Sequence, residues 1–471
     1  MVGPRILLAT FFIGAQVLSG PPSRDQMFYV PENPQYTICD SAIDSLRFTA
    51  DKTLRRDEHG HLVSISTFVD SDGQIMRWHA FGNLEGPGWA SNAVGGAYEM
   101  YTMGAFLHRP EWQTKALGIL DHVLDDGFID QNTSFIRGYR DTTTGKICLN
   151  YMKNDDWFGP GSMAKIGYQL LIFSDELGND RRAARMRASA VQVAQWIQRH
   201  VETAPNGWYP RRTTPDGKLF RKNPKGDDDI LWEGSADGLY ILQLDAALTA
   251  RGLADYSQML RQEIDVFMRA GGFFGSINQD TFDAHENVAY SVAFRTLLAV
   301  SKVLKDEAIR TFAYEHCLSG LEHFRIREDR NGVATKGLLM MEDSWDTAYQ
   351  WENAEAALAY FEAAHDTQPR TSEESMGYET DGLVILRAIA KHHHGPYGFL
   401  TEGVDWNNHV GQKHHFDNAR FGDIRYTEPF LNNQHINEPT LYYLKNLARE
   451  TSGKNGNEWR DAEGNIILKM P

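Results

Sequence analysis

Residues 227–270 read DDDILWEGSADGLYILQLDAALTARGLADYSQMLRQEIDVFMRA, and this stretch decides the fold. Three aspartates and Trp232 lead into a segment, 233–249, in which Leu239, Tyr240, Ile241, Leu242 and Leu244 leave little room for a solvent face. A helix that is apolar all round is buried. After a short break the segment 254–269 is amphipathic, which predicts a surface helix. One buried helix is thus followed at once by one surface helix.

The same pair recurs along the chain. Buried segments lie near 90–107, 158–177, 286–304 and 347–364, and amphipathic ones near 112–124, 181–201, 306–324 and 376–391. In 181–201, Met186, Ala190, Val193, Ile197 and Val201 form one stripe, while Arg182, Arg185, Arg187, Gln195 and Arg199 face away. A first amphipathic helix near 40–55 and a last helix near 437–449 bring the total to about six pairs. The expected fold class is all-α: an (α/α)6 toroid of alternating inner and outer helices.

The connections are asymmetric. Inner helices reach their outer partners through short turns such as Arg109-Pro110 and Gly178-Asn179-Asp180. Outer helices reach the next inner helix through long links that carry hairpin signals at Asp72-Gly73, Asp216-Gly217 and Asn331-Gly332. Short β-hairpins are therefore expected in the long links, all at one face, where the inner helices begin. Function gathers on loops held by a rigid scaffold.

With 42% hydrophobic and 11% aromatic residues, 471 residues can bury a large core. A net charge of −16 with no Lys/Arg run argues against nucleic acid as a partner. Arg5, the apolar run Ile6–Leu18 and the small residues Ser19-Gly20 before Pro21-Pro22 have the layout of a secretory signal peptide, expected over 1–20. That run is too short to span a membrane, so no membrane insertion is expected once it is removed. The competing reading is a buried N-terminal helix. Residues 21–471 are expected to form one toroid domain in a secreted or periplasmic protein; oligomeric state is not legible. Cys39, Cys148 and Cys317 fit no metal spacing and are expected as buried free thiols, although one pair could bridge. Asn132-Thr133-Ser134 is a glycosylation acceptor in a eukaryotic host.

Acidic residues beside tryptophan open several inner helices: Asp155-Asp156-Trp157, Asp227 to Glu233, and Asp343-Ser344-Trp345-Asp346, with looser versions at Trp89 and at Asp283 to Asn287. Capping accounts for part of this, since Asp is a favoured cap and Asp283 with Glu286 has capping-box spacing. Three consecutive aspartates cannot cap one helix, however. Glu233 and Asp237, and likewise Asp346, Gln350 and Asn353, are spaced to stack along helices that are otherwise apolar. Buried polar groups are costly unless paired, so these stripes are expected to line a wet cavity. Tryptophan rings match the apolar faces of sugars, which makes Trp89, Asp156, Trp157, Trp232, Asn287, Trp345 and Trp406 substrate-binding candidates; Trp351 is expected in the core.

The long link 394–438 adds His409 and Tyr426, among many groups able to move protons, with His415 and Arg425 as further substrate-binding candidates. Its histidines match no zinc spacing, so neither a metal nor another cofactor is expected. The run His392-His393-His394 is accounted for by the dipole at a helix end.

Paired inner and outer helices, Trp/Asp-rich helix starts and a signal peptide make the chain resemble the (α/α)6-toroid carbohydrate-active enzymes, which include unsaturated glucuronyl hydrolases, inverting glycosidases, sugar 2-epimerases and polysaccharide lyases. The resemblance covers nearly the whole mature chain and rests on architecture, with no family motif, so it assigns no catalytic residue. It implies a carbohydrate substrate. A glycoside hydrolase would need two carboxylates, with Asp229 or Glu233 set against Asp346, and Glu286 next. A lyase or uronate epimerase would need a His or Tyr base, such as His409 or Tyr426. A non-catalytic sugar-binding protein would leave the titratable groups unexplained.

Overall fold

The computed structural model describes residues 36–65, 68–69, 72–75, 81–130, 132–133, 135–220, 234–275, 277, 283–366, 371–393, 399–406, 436–450, 458–460 and 466–469. The proposed signal and the candidates Asp229, Trp232, Glu233, His409, His415, Arg425 and Tyr426 lie outside the described residues.

Inner helices are α2 (Ala93–Phe106), α4 (Pro160–Leu177), α6 (Gly238–Ala250), α8 (Asn287–Leu304), α10 (Gln350–Ala364) and α12 (Glu438–Glu450). Outer helices are α1 (Ile38–Phe48), α3 (Pro110–Asp125), α5 (Arg181–His200), α7 (Ser257–Arg269), α9 (Glu307–Phe312) with its continuation to Phe324, and α11 (Ser372–Ala390). Each inner helix packs on the next, and α12 closes the ring against α2. This is the expected (α/α)6 toroid.

Local chemistry explains the two classes. In α6 every residue from Gly238 to Leu248 is buried, as a helix apolar all round requires. In α7 only Leu260, Ile264 and Phe267 are buried, one stripe worth roughly 2 kcal/mol per side chain. Asp180 caps α5 by accepting from the Arg182 N–H. Arginines on the outer face of α5 tie it to α3 through Arg182–Asp121 (2.6 Å) and Arg185–Asp125 (2.6 Å). Inner helices approach closely: a Cβ on Gly161 of α4 would lie 2.4 Å from the Asp237 carbonyl oxygen.

The long links carry short strands. β1 (Leu54–Arg56) pairs with β2 (Leu62–Ser64), and β3 (Leu84–Glu85), β4 (Tyr139–Asp141) and β5 (Ile147–Cys148) form a three-stranded antiparallel sheet. β6 (Thr347–Tyr349) pairs with β7 (Gly403–Asp405). The three hairpin signals close as the bridges Val69–Ile75, Thr213–Leu219 and Arg330–Val333, with Gly73, Gly217 and Gly332 at positive φ. An unexpected hairpin, β8 (Glu458–Arg460) with β9 (Ile466–Lys469), follows α12.

Several local expectations are corrected. The third inner helix begins only at Gly238, so Asp237 precedes it, accepting from the Ser235 hydroxyl; its expected partner Glu233 lies outside the described residues. No Asp283–Glu286 capping box forms: the Glu286 N–H goes to the Phe274 carbonyl, and Asp283 accepts from the Ser344 N–H. Asp343 and Asp346 cap nothing, because β6 intervenes before α10. The helix expected over 306–324 turns π-helical at Ala313–Leu318 and then 3-10, where Gly320 lets the backbone lie against the Tyr290 ring. His392 and His393 are buried rather than exposed to a helix dipole. They dock on the Ala334 carbonyl (2.6 Å) and the Ser41 hydroxyl (3.1 Å), and burial pushes His392 down to about 4. All three cysteines are free and buried. Among the described residues no helix is long and apolar enough to cross a membrane.

Candidate active site on the toroid axis

Four of the inner helices send charged side chains to one another across the ring. Arg295 of α8 is buried and grips Glu355 (2.5 Å) and Glu362 (3.0 Å) of α10 and reaches Glu438 (3.8 Å) of α12. Helices α8 and α12 are not neighbours in the ring, so this contact passes through its centre. Lys165 of α4 holds its Nζ 5.1 Å from the centre of the Tyr240 ring and 5.7 Å from that of Trp351 on α10, which faces α4 across the axis. Lys165, Tyr168, Trp351, Glu355, Glu362 and Glu438 are all partly buried, and protein surrounds Lys165, Tyr168 and Glu438. At the far end, Lys445 of α12 bonds Glu176 of α4 (2.6 Å) and lies over Tyr98.

Electrostatics follow from this enclosure. Burial pushes the Glu438 carboxyl up, against the opposing pull of Arg295. It pushes the Lys165 ammonium down, against the pull of Glu355 and Glu438. Glu99 is raised to about 8 by burial, offset in part by the Asn437 side chain and by the backbone N–H groups of Asn437 and Glu438. Its place at the start of α12 is structural. The axial set therefore offers a carboxyl tuned toward proton donation, carboxylates fixed by an arginine, and aromatic faces beside them.

The described candidates from the sequence lie in the links before inner helices or at a helix's first residue. Trp89 and Trp157 both meet Tyr151 edge-on (5.6 and 5.5 Å between centroids) and line one small cleft with Asn150 and Ser162. Trp89 is half-buried; Trp157 is buried beneath the Arg212 guanidinium, 4.8 Å away. Asp156 is exposed beside them. Asp346 and Trp406 come together in a second place, where the indole N–H donates to the carboxylate (3.1 Å), and Trp345 is half-buried nearby in sequence. Glu286 is fully buried and accepts from the Ile277 N–H, bracing the link before α8. Asn287 donates to Glu352 (2.8 Å) and to the Met340 carbonyl (2.7 Å). Among these, the structure brings Trp89 to Trp157 and Asp346 to Trp406.

Sequence reasoning missed Lys165, Arg295, Glu355 and Glu362, and named Glu438 only as one of many groups at the end of the 394–438 link. For Arg295 the signal was a charge between Phe294 and Leu298 in a helix that is apolar on all sides there. Trp351, expected in the core, is only partly buried and stands on the axis.

No family model matches the chain, and no curated protein matches it. Solved structures do. A sugar epimerase from a ruminal bacterium matches with a TM-score of 0.59 at 15% identity, covering 87% of this chain and 98% of the other. Cellobiose 2-epimerase from Bacillus thermoamylovorans gives 0.58 at 14% identity over 87% and 99% of the two chains. A D-mannose isomerase gives 0.58 at 10% identity over 87% and 97%. The protein has the (α/α)6-toroid fold of these enzymes.

Proposed function

We propose that the chain is a carbohydrate-active enzyme working in the axial chamber, and that it is a glycoside hydrolase using carboxylate acid–base catalysis. The observation that carries this reading is the cluster in which Glu438, its carboxyl raised by burial, stands with Glu355 around Arg295. Hydrolysis needs a protonated carboxyl at the leaving oxygen and a second carboxylate for water or the anomeric carbon. Glu438 would serve as the acid and Glu355 as its counterpart, while partly buried Trp351 offers a ring face for a sugar. Half-buried Trp89 and exposed Asp156 would meet the remainder of the saccharide.

A second reading, epimerisation or isomerisation of a reducing sugar, draws on the names of the fold relatives and on Lys165. Its ammonium is pushed down by burial, as a base that removes a proton beside a carbonyl requires. A saccharide panel incubated in D2O separates the readings. Hydrolysis produces new reducing ends. Epimerisation or isomerisation places deuterium on carbon without new ends, and a lyase produces an ultraviolet-absorbing unsaturated uronate. Absence of all three signals over a broad panel would overturn the carbohydrate reading itself. Export is part of the proposal, supported by the Arg5 and Ile6–Leu18 pattern. N-terminal sequencing of the mature protein checks it, and a chain still starting at Met1 would refute it.

A further inference from the structure

Away from the axis, four side chains from two distant parts of the sequence converge. Asp57 and His61 sit on the hairpin between β1 and β2; His122 and Asp126 sit one turn apart at the end of α3. One donor atom from each falls within 4.8 Å of the others. His61 Nδ1 is 2.7 Å from Asp126 Oδ2 and 3.3 Å from Asp57 Oδ2, and His122 Nδ1 is 2.5 Å from Asp126 Oδ2.

The surroundings prepare these groups as ligands. His122 is buried, and its other nitrogen, Nε2, meets the buried Glu85 carboxylate at 2.8 Å. Glu85 is in turn held by Arg140 at 3.3 Å. A carboxylate that takes the Nε2–H fixes the tautomer and aims the Nδ1 lone pair at the cluster, the usual support behind a metal-bound histidine. Asp57 Oδ2 is shielded from solvent and accepts no hydrogen bond among the described residues. Its other oxygen is fixed by the His59 and His61 N–H groups at 2.9 and 2.8 Å. His122 and Asp57 are therefore oriented from behind, and His61 and Asp126 complete a set of two imidazoles and two carboxylates.

We propose that Asp57, His61, His122 and Asp126 form a binding site for a divalent transition-metal ion, Zn²⁺ by its donor set, which staples the β1–β2 hairpin to α3. Two imidazoles with two carboxylates suit zinc, and four protein donors make a closed, structural site. Bonds of about 2.0–2.2 Å to a tetrahedral ion put donors about 3.4 Å apart. Asp126 Oδ2 would withdraw from the two imidazoles by less than about 1 Å, a change within reach of its side chain. Half-exposed His61 leaves a path for the ion to enter. The staple would also steady the mouth, because Glu85 lies on β3, whose sheet packs beside the cleft lined by Trp89 and Tyr139.

The full-length protein, dialysed against chelator and then titrated with ZnCl₂ or CoCl₂, provides the test. The wild type should take up one ion per chain, show the strong visible absorption of tetrahedral Co²⁺, and melt at least about 3 °C higher with the ion in excess. His61→Ala changes a side chain 43% exposed, so the fold should survive while affinity drops on the order of 100-fold. Glu85→Gln, which touches no ion, should weaken binding by about 10–100-fold. Absence of stoichiometric uptake by the wild type, or equal affinity in His61→Ala, would overturn the proposal.

Discussion

Replacing Arg295 by Met probes the axial chamber through stability. Arg295 is 5% exposed and is the shared cation of Glu355, Glu362 and Glu438, whose side chains are 13%, 22% and 30% exposed. Breaking a buried ion pair by removing one partner costs about 3–5 kcal/mol, because the other charge is left unpaired in a poor solvent. Residual access of water to the chamber favours the lower end, so a loss of about 3 kcal/mol is expected near pH 8. The pH dependence has a definite sign. Glu438 already binds its proton more tightly folded than unfolded, and Arg295 is what restrains it. Without the arginine the folded carboxyl rises further, so the folded chain holds more protons than the unfolded chain across a wider window. Stability then falls as pH rises through that window, and the variant should recover much of its loss near pH 5. Urea denaturation of both proteins at the two pH values measures this. A loss below about 1 kcal/mol near pH 8, or an equal loss at both pH values, would refute the axial ion cluster.

Other expectations concern different parts of the ring. Asp245, bonded to Gln198 (2.5 Å), and Glu263, bonded to the Tyr209 hydroxyl, are both raised by burial, Glu263 to about 7. Their contribution is fully present below the unfolded carboxylate range and is lost as pH rises through the folded values, so wild-type melting temperature should fall from about pH 5 to about pH 8. Glu263→Gln should flatten that decline by an amount equivalent to roughly 2 kcal/mol, and an unchanged slope would contradict the burial argument. Gly161→Ala should destabilise by at least about 2 kcal/mol in thermal melts, since the obstacle to its Cβ is the Asp237 backbone, which cannot swing aside. A neutral result would contradict the close approach of α4 to the start of α6.

The toroid was legible because burial leaves a pattern on each helix separately. Leu239 to Leu248 announces an inner helix and the stripe Leu260, Ile264, Phe267 an outer one, with no knowledge of what either touches. Turn chemistry at Asp72-Gly73 and Asn331-Gly332 was similarly local. The axial chamber was not legible, because its members have no sequence relation. Lys165 meets Trp351 only because two helices on opposite sides of the ring face each other. The same holds for the metal-ligand cluster, whose two halves, Asp57/His61 and His122/Asp126, are joined by the packing of a hairpin on a helix end. The acidic tryptophan starts are less open than the sequence led us to expect. Trp157 lies under Arg212, and Glu286 is spent on the Ile277 N–H, because a loop that crosses a helix end must satisfy its own backbone first.

The claim that the axial carboxyls perform the chemistry is tested most directly by Glu438→Gln. On the best substrate from the saccharide panel, this isosteric change should lower kcat by about 100-fold or more while thermal melting shows a folded protein. Wild-type kcat in a folded Glu438→Gln protein would contradict the account.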